Sequence, residues 1–212
     1  MLSNNIFRDR KDAGGKLASL LFKYKEGSPI ILALPRGGVI VAKEVKEELN
    51  APLGVIVIKK IGHPFSPEYA IGAISENGSL AVNKDEVREI DYSWFKDMVE
   101  KLKQEARKKH DLYLGGKSPI SIKNKTVIIV DDGLATGLTM LAAIQEVKNQ
   151  GAGKIVVAVP VAPSDTALKI KEEVDDFVAC LTPEDFMGAV GAYYQNFEPV
   201  LDEEVINTLK NV

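Results

Sequence analysis

Two adjacent carboxylates, Asp131 and Asp132, are followed by Gly133-Leu134-Ala135-Thr136-Gly137-Leu138-Thr139. An ionised carboxylate only accepts hydrogen bonds, so a pair of them suits the neighbouring hydroxyls of a sugar. The second half of the stretch suits the opposite kind of group. A glycine-containing loop that runs into a helix aims backbone N–H groups and the positive end of the helix dipole at one point, where an anion binds. Gly133 and Gly137 let the backbone wrap closely. The hydroxyls of Thr136 and Thr139 can donate to the same anion. Acids at one end and an anion nest at the other suit a ribose 5-phosphate. An isolated Asp-Asp pair would read as a solvated strand end; the apolar run before it and the Thr-Gly-x-Thr after it argue against that.

Other residues point to phosphate as well. Arg36-Gly37-Gly38 combines a fixed cation with backbone that can approach an anion closely. Lys59 and Lys60 place two cations at the end of an apolar run, and either could face a ligand. His63 invites a general-acid role, but a lone loop histidine is more often simply exposed. Cys180, the single cysteine, lies in an apolar run and reads as a structural thiol.

The elements that must position these groups follow from periodicity. Residues 127–130 are four branched apolar residues in a row, the mark of a strand buried on both faces of a parallel sheet. Further strands are expected over 30–34, 53–58, 154–159 (ended by Pro160) and 176–181. Helices are expected from about 14 to 24, from the Arg36 turn through Leu49, from 140 to 150, and from about 163 to 173. Residues 92–114 read as a long amphipathic helix. Its stripe is Phe95, Met98, Val99 and Leu102, suited to packing, including against another subunit; its second half is crowded with basic side chains. Residues 61–67 read as a loop, and 71–74 and 80–82 flank a hairpin signal, Glu76-Asn77-Gly78. This alternation predicts an α/β fold: a mainly parallel sheet flanked by helices on both faces, with a small hood or lid region. The polar loops at Arg36, Lys59 and Asp131 would then gather at the carboxyl edge, where such sheets bind ligands.

The chain has 212 residues, 45% of them hydrophobic, with 27 basic and 30 acidic side chains and a net charge of −3. That fits one domain over 1–212, with a loop, hairpin and long helix inserted over 61–115 and a C-terminal segment over 176–212. The charge balance disfavours nucleic acid as a partner. No segment has the ~20 apolar residues that span a bilayer, and no apolar signal core opens the sequence. A cytoplasmic location is expected. A P-loop ATPase is excluded by the lack of its GxxxxGK[ST] sequence.

Residues 127–139 resemble the binding motif for 5-phosphoribosyl-1-pyrophosphate (PRPP) of the type I phosphoribosyltransferases. The resemblance implies that Asp131 and Asp132 hold the ribose hydroxyls. It gives the 5-phosphate to Gly133, Leu134, Ala135, Thr136, Gly137 and Thr139, and pyrophosphate to Arg36, Gly37, Gly38 and one of Lys59 and Lys60. Gly133 departs from the family pattern, which has an apolar residue there. The segment 176–197 resembles the base-covering segment of the hypoxanthine-guanine enzymes. That implies Phe177 stacking on the base, the Val178 backbone reading its edge, and Glu184 near metal or pyrophosphate; the alternative is that Phe177 is core. Two groups that would recognise a 6-oxopurine are missing, since Ala135 and Pro160-Val161 stand where an acid and a lysine are usual. The implied activity is a Mg²⁺-dependent phosphoribosyl transfer from PRPP to a base, in nucleotide salvage. Mg²⁺ would be held by substrate oxygens, with Asp131, Asp132 or Glu184 acting through water. PRPP, a small-molecule base and a second copy of the chain in a homodimer are the implied partners. The rival reading is a non-catalytic PRPP or nucleotide sensor on the same fold.

Overall fold

A computed structural model describes residues 7–210. In chain order the first elements are α1 (Arg10–Leu21), a 3₁₀ turn (Phe22–Gly27), β1 (Ile30–Ala33), α2 (Gly37–Leu49) and β2 (Leu53–Val55). There follow β3 (Ile58–His63), β4 (Ser66–Ser75), β5 (Leu80–Val82), α3 (Lys84–Arg88) and α4 (Tyr92–Leu114). The last group is β6 (Thr126–Val130), α5 (Leu138–Asn149), β7 (Lys154–Val161), α6 (Ser164–Lys171), β8 (Asp176–Leu181), a 3₁₀ turn (Val190–Tyr193) and α7 (Asp202–Lys210).

Five strands form an all-parallel sheet in the order β2-β1-β6-β7-β8. Side chains alternate across it, as strand geometry requires. Ile31, Ala33, Ile128, Val130, Val156 and Ala158 point toward a core shared with α1, α2 and α7. Leu32, Val127, Ile129, Val157 and Val159 point toward a core shared with α5 and α6. Burial on both faces explains the unbroken apolar run of β6, and truncating Ile128 or Ile129 to alanine would cost about 2–5 kcal/mol. Among the described residues no helix is long and apolar enough to cross a membrane.

Two boundaries differ from the sequence expectation. The first helix begins at Arg10 rather than near 14, because the Asp9 carboxylate accepts from the Asp12 N–H at 2.8 Å and caps it. Gly14 sits inside this helix because α2 crosses there: a Cβ on it would lie 2.8 Å from the Val41 carbonyl oxygen. Strand β7 runs on through Pro160 to Val161. Its last pairing with β6 is Ala158 with Val130, so Pro160 falls beyond that ladder, where a missing N–H is tolerated.

The largest difference lies after β2. The strand expected over 53–58 ends at Val55, and the chain then enters a separate antiparallel sheet, order β3-β4-β5. Lys59 and Lys60 therefore lie within β3 and not at the end of a parallel strand. The expected loop over 61–67 is mostly the β3–β4 hairpin, while the signal at Glu76-Asn77-Gly78 does turn β4 into β5. Helix α4 covers this small sheet, with Phe95, Met98, Val99 and Leu102 packed around Ile61, Ile71 and Ile74. The apolar stripe of α4 is thus met by its own chain. The hood is fastened to the main body through Glu146 of α5, which is buried and accepts from Ser75, Asn77, Ser79 and Gln150.

Candidate functional site

Strands β1 and β6 run side by side, with Ala33 opposite Val130, and the Leu34 N–H donates to the Val130 carbonyl at 2.9 Å. The loops that leave the two strands therefore start in contact. A Cβ on Gly38 would fall 2.9 Å from the Asp131 Cα and 2.9 Å from the Val130 carbonyl oxygen. A Cβ on Gly37 would fall 1.8 Å from Asp132 Oδ2. The glycine pair is required by this approach, and it joins the loop expected to hold pyrophosphate to the acids expected to hold ribose.

The two carboxylates sit in different environments. Burial first, then the charge of Asp132, push the Asp131 carboxyl well above the ordinary carboxylate range, while the charge of Lys60 pulls the other way. Asp131 Oδ1 accepts from the Asp132 N–H at 2.8 Å. Asp132 has a cation of its own: Arg10 Nε donates to its Oδ2 at 2.7 Å, with both side chains largely buried. The Arg10 Nη1 also donates to the Glu198 carbonyl at 2.7 Å, and its guanidinium lies 3.8 Å from the centre of the Phe197 ring. The Tyr194 hydroxyl donates to the Asp132 carbonyl at 2.6 Å. Arg10 has no counterpart in the sequence expectation. Its signal was the polar run around residues 7–15, whose partner is far away in sequence.

The loop after the acids is anchored from below and open above. The Leu134 N–H donates to the Val161 carbonyl at 2.8 Å, and Leu134 is buried. The Thr166 hydroxyl, from α6, donates to the Ala135 carbonyl at 2.7 Å. Gly137 has φ +78° and precedes α5; a Cβ there would lie 2.9 Å from Thr166 Cγ2. Among the described residues, the N–H groups of Ala135, Thr136 and Gly137 have no hydrogen-bond acceptor. Ala135 and Thr136 are exposed, and Thr139 lies in the first turn of α5. These N–H groups lie at a helix start, where the sequence expectation put an anion. Gly133 also acquires a reason. A Cβ on it would lie 2.5 Å from Val190 Cγ1, so the glycine makes room for the C-terminal segment to pack on the loop.

The lysines separate by strand alternation. Lys59 Nζ reaches Glu105 of α4 at 3.5 Å, whereas Lys60 is exposed and acts on Asp131. Arg36 is exposed, and its charge acts on Tyr113 and Asp202 beside α2. His63 is in the β3–β4 turn, where its Nδ1 accepts from the Phe65 N–H at 3.2 Å; the Phe65 side chain is 92% exposed. Glu184 is exposed.

Phe177 and Val178 are not brought to the acids. Phe177 pairs with Val157, four residues before β8 ends, and its ring packs in the α5–α6 core with Lys171 Nζ 5.8 Å from its centre. Val178 faces the opposite core. Strand alternation turns the two half-buried side chains toward opposite cores, whatever the local motif. A different aromatic group lies beside the acids. Phe186 stacks on Tyr193 with ring centres 5.4 Å apart, in a cluster with Val190, Tyr194, Phe197 and Phe7. The Gly-aromatic run of the C-terminal segment was the sequence signal for it. Cys180 is half-buried in this region, and burial pushes its thiol up to about 11, which suits an inert side chain.

Residues 4–196 match the family model for the phosphoribosyl transferase domain. Two Mycobacterium tuberculosis proteins (strains CDC 1551 / Oshkosh and H37Rv), both provisionally named phosphoribosyl transferases, are each 40% identical over 203 residues. Those residues are 95% of this chain, which spans only 46% of the length of these relatives. Among solved structures, TT1426 of Thermus thermophilus is 39% identical, with a TM-score of 0.82 over 97% of this chain and 98% of that one. A hypoxanthine phosphoribosyltransferase of Staphylococcus aureus is similar in fold alone, with 12% identity and a TM-score of 0.50 over 88% of this chain and 80% of that one.

Proposed function

This chain belongs to the phosphoribosyl transferase family, and on that premise we propose that it transfers a 5-phosphoribosyl group from PRPP to a ring nitrogen of a nitrogenous base. The bond from C1 to the pyrophosphate oxygen breaks, the bond from C1 to nitrogen forms, and the nitrogen gives up its proton. The observation that carries the reading is the contact of Gly37 and Gly38 with Asp131 and Asp132, directly before the open N–H groups at the start of α5. One end of the site takes two sugar hydroxyls and the other takes phosphate.

The residues work by placement and charge. Asp131 and Asp132 hold the ribose, with Arg10 fixing Asp132 through its ion pair. The loop from Gly133 to Gly137, with Thr139, holds the 5-phosphate. Arg36, the N–H groups of Gly37 and Gly38, and Lys60 receive the departing pyrophosphate. Lys59 is assigned to Glu105 instead. The base is assigned to the aromatic group around Phe186 and Tyr193, because Phe177 is occupied in the core. A Mg²⁺ ion would offset charge on the pyrophosphate. Among the described residues no three His, Cys, Asp or Glu side chains converge on a metal site, so the ion would be carried chiefly by substrate oxygens. Asp131 and Asp132, adjacent to the pyrophosphate loop, fit outer contact through water.

Ala135 favours a second reading, a PRPP or nucleotide sensor, since it gives the exposed loop no side chain to handle a proton of the base. Pyrophosphate release from PRPP and Mg²⁺, measured across purine and pyrimidine bases, separates the two. Release with one class of base, abolished in Asp131→Asn/Asp132→Asn, supports the enzyme. Tight PRPP binding without release for any base supports the sensor. PRPP binding unchanged in the double variant would overturn both.

A further inference from the structure

A cavity of about 830 Å³ lies along the β2 edge of the parallel sheet, two strands from β6 and the acids. Its lining includes Lys46 and Asn50 at the far end of α2 and Pro52 at the start of β2, and none of the residues assigned above to PRPP. Its size falls within the roughly 300–1,000 Å³ of small-molecule sites. Apolar wall comes from Leu53, Val55, Ile120, Ile122, Ile206 and Leu209.

One of its polar groups is not accounted for by the fold. Glu76 is 4% exposed, and its Oε2 has no hydrogen-bond partner among the described residues. His110 Nε2 stands 3.7 Å from Glu76 Oε1, beyond hydrogen-bond range. A buried acceptor without a donor is costly to the fold and is a natural place for a ligand to supply one. By contrast the neighbouring buried carboxylate, Glu146, is fully engaged by four side-chain donors. Its exposed lining is mainly cationic: Arg107, Lys117 and Lys210 are exposed and Lys46 is half-buried, against one exposed carboxylate, Asp111.

We propose that this cavity is a second ligand site, separate from the acid pair, for a flat heterocycle bearing an N–H donor and an anionic group, the chemistry of a purine nucleoside monophosphate. The heterocycle lies against the apolar wall, its N–H donates to the Glu76 carboxyl group, and its phosphate faces Arg107, Lys117 and Lys210. The cavity also touches Val55 and Ile56, where the chain leaves the parallel sheet for the hood. Occupancy is therefore linked to the orientation of β3 and Lys60.

The chain has two histidines, His63 in the hood turn and His110 in the cavity, so their imidazole NMR signals report the two regions separately. AMP is the probe, titrated into the Asp131→Asn/Asp132→Asn protein so that the acid site is disabled. The expected result is a saturable shift of the His110 signal, with AMP affinity about tenfold weaker when Glu76→Gln is added and severalfold weaker when the exposed change Arg107→Ala is added. A His110 signal that AMP leaves unmoved would overturn the proposal. So would an AMP affinity that neither added change weakens, or an equal shift with adenine alone. Each of these readings is independent of PRPP binding at the acid pair.

Discussion

Replacing Gly37 by alanine puts a methyl group 1.8 Å from Asp132 Oδ2, where ordinary contact begins near 3.4 Å. The obstacle is the end of a side chain, so the carboxylate can retreat, by about 1.6 Å. In doing so it leaves Arg10 Nε, now 2.7 Å away, and the point where ribose hydroxyls would meet it. A displacement of that order in a positioning group costs up to about 100-fold, so PRPP affinity should fall about 10- to 100-fold, or about 1.4–2.8 kcal/mol. Stability should fall as well, because disrupting the largely buried Arg10–Asp132 pair costs up to about 3–5 kcal/mol, offset by at most about 0.5–1 kcal/mol from alanine in place of glycine. Gly38→Ala is the control in which backbone, not a side chain, is the obstacle. Its methyl group meets backbone, the Asp131 Cα and the Val130 carbonyl, both at 2.9 Å, so α2 must move off β6. Overpacking of this kind costs about 1–3 kcal/mol of folding free energy. Calorimetric titration with PRPP and urea unfolding of both variants would read the two effects. Unaltered PRPP affinity in Gly37→Ala, or unaltered stability in Gly38→Ala, would refute the close approach on which the site is built.

Lys60→Ala should lower the kcat/KM for pyrophosphate release about 10- to 100-fold, while Lys59→Ala, which only loses the half-buried Glu105 pair, should change it less than about twofold; equal effects would refute the division of labour. Thr166→Val removes the hydroxyl that holds the Ala135 carbonyl. It should cost about 1 kcal/mol in urea unfolding and weaken PRPP binding, and a variant with wild-type values in both would show that the loop needs no such anchor. Burial, aided by the Glu146 charge, raises the Glu76 carboxyl from 4.5 to about 7. The folded chain then keeps a proton that the unfolded chain releases, so this contribution is full below 4.5 and is lost as pH rises through about 7. Glu76→Gln should therefore gain stability relative to wild type between about pH 5 and pH 8, by on the order of 2–3 kcal/mol; a difference that stays constant with pH would contradict the burial of a titrating carboxyl.

The parts of the fold that could be read from sequence were those dictated by local pattern. The strand before Asp131, the helix Tyr92–Leu114 and the hairpin at Glu76-Asn77-Gly78 all follow from periodicity and turn chemistry over a few residues. The acid pair and the helix start after it were legible for the same reason. Arg10 was not, because its partners Asp132 and Glu198 are 122 and 188 residues away, and no local pattern marks a contact at that range. Phe177 failed from the opposite cause. Its local motif suggested a base contact, but its place in an alternating strand fixes its direction, and the α5–α6 core claims it. The lysines were half legible: two cations in a row cannot tell which faces the ligand until the strand that carries them is known.

The clasp that Arg10 makes has a consequence for the order in which the molecule acquires its parts. Strands β1 and β6 and the loops between them can register before either flanking segment docks. The carboxylate of Asp132 is fixed only when residue 10 has closed over residue 132 and residues 194–198 have closed over both. Closing such long spans of chain carries the largest entropy loss and comes late. During refolding, helix and sheet signals should return before the capacity to bind a sugar phosphate. Intermediates with a complete sheet but an undocked first helix would be invisible to PRPP, so the ligand can stabilise only the finished molecule and cannot guide its assembly.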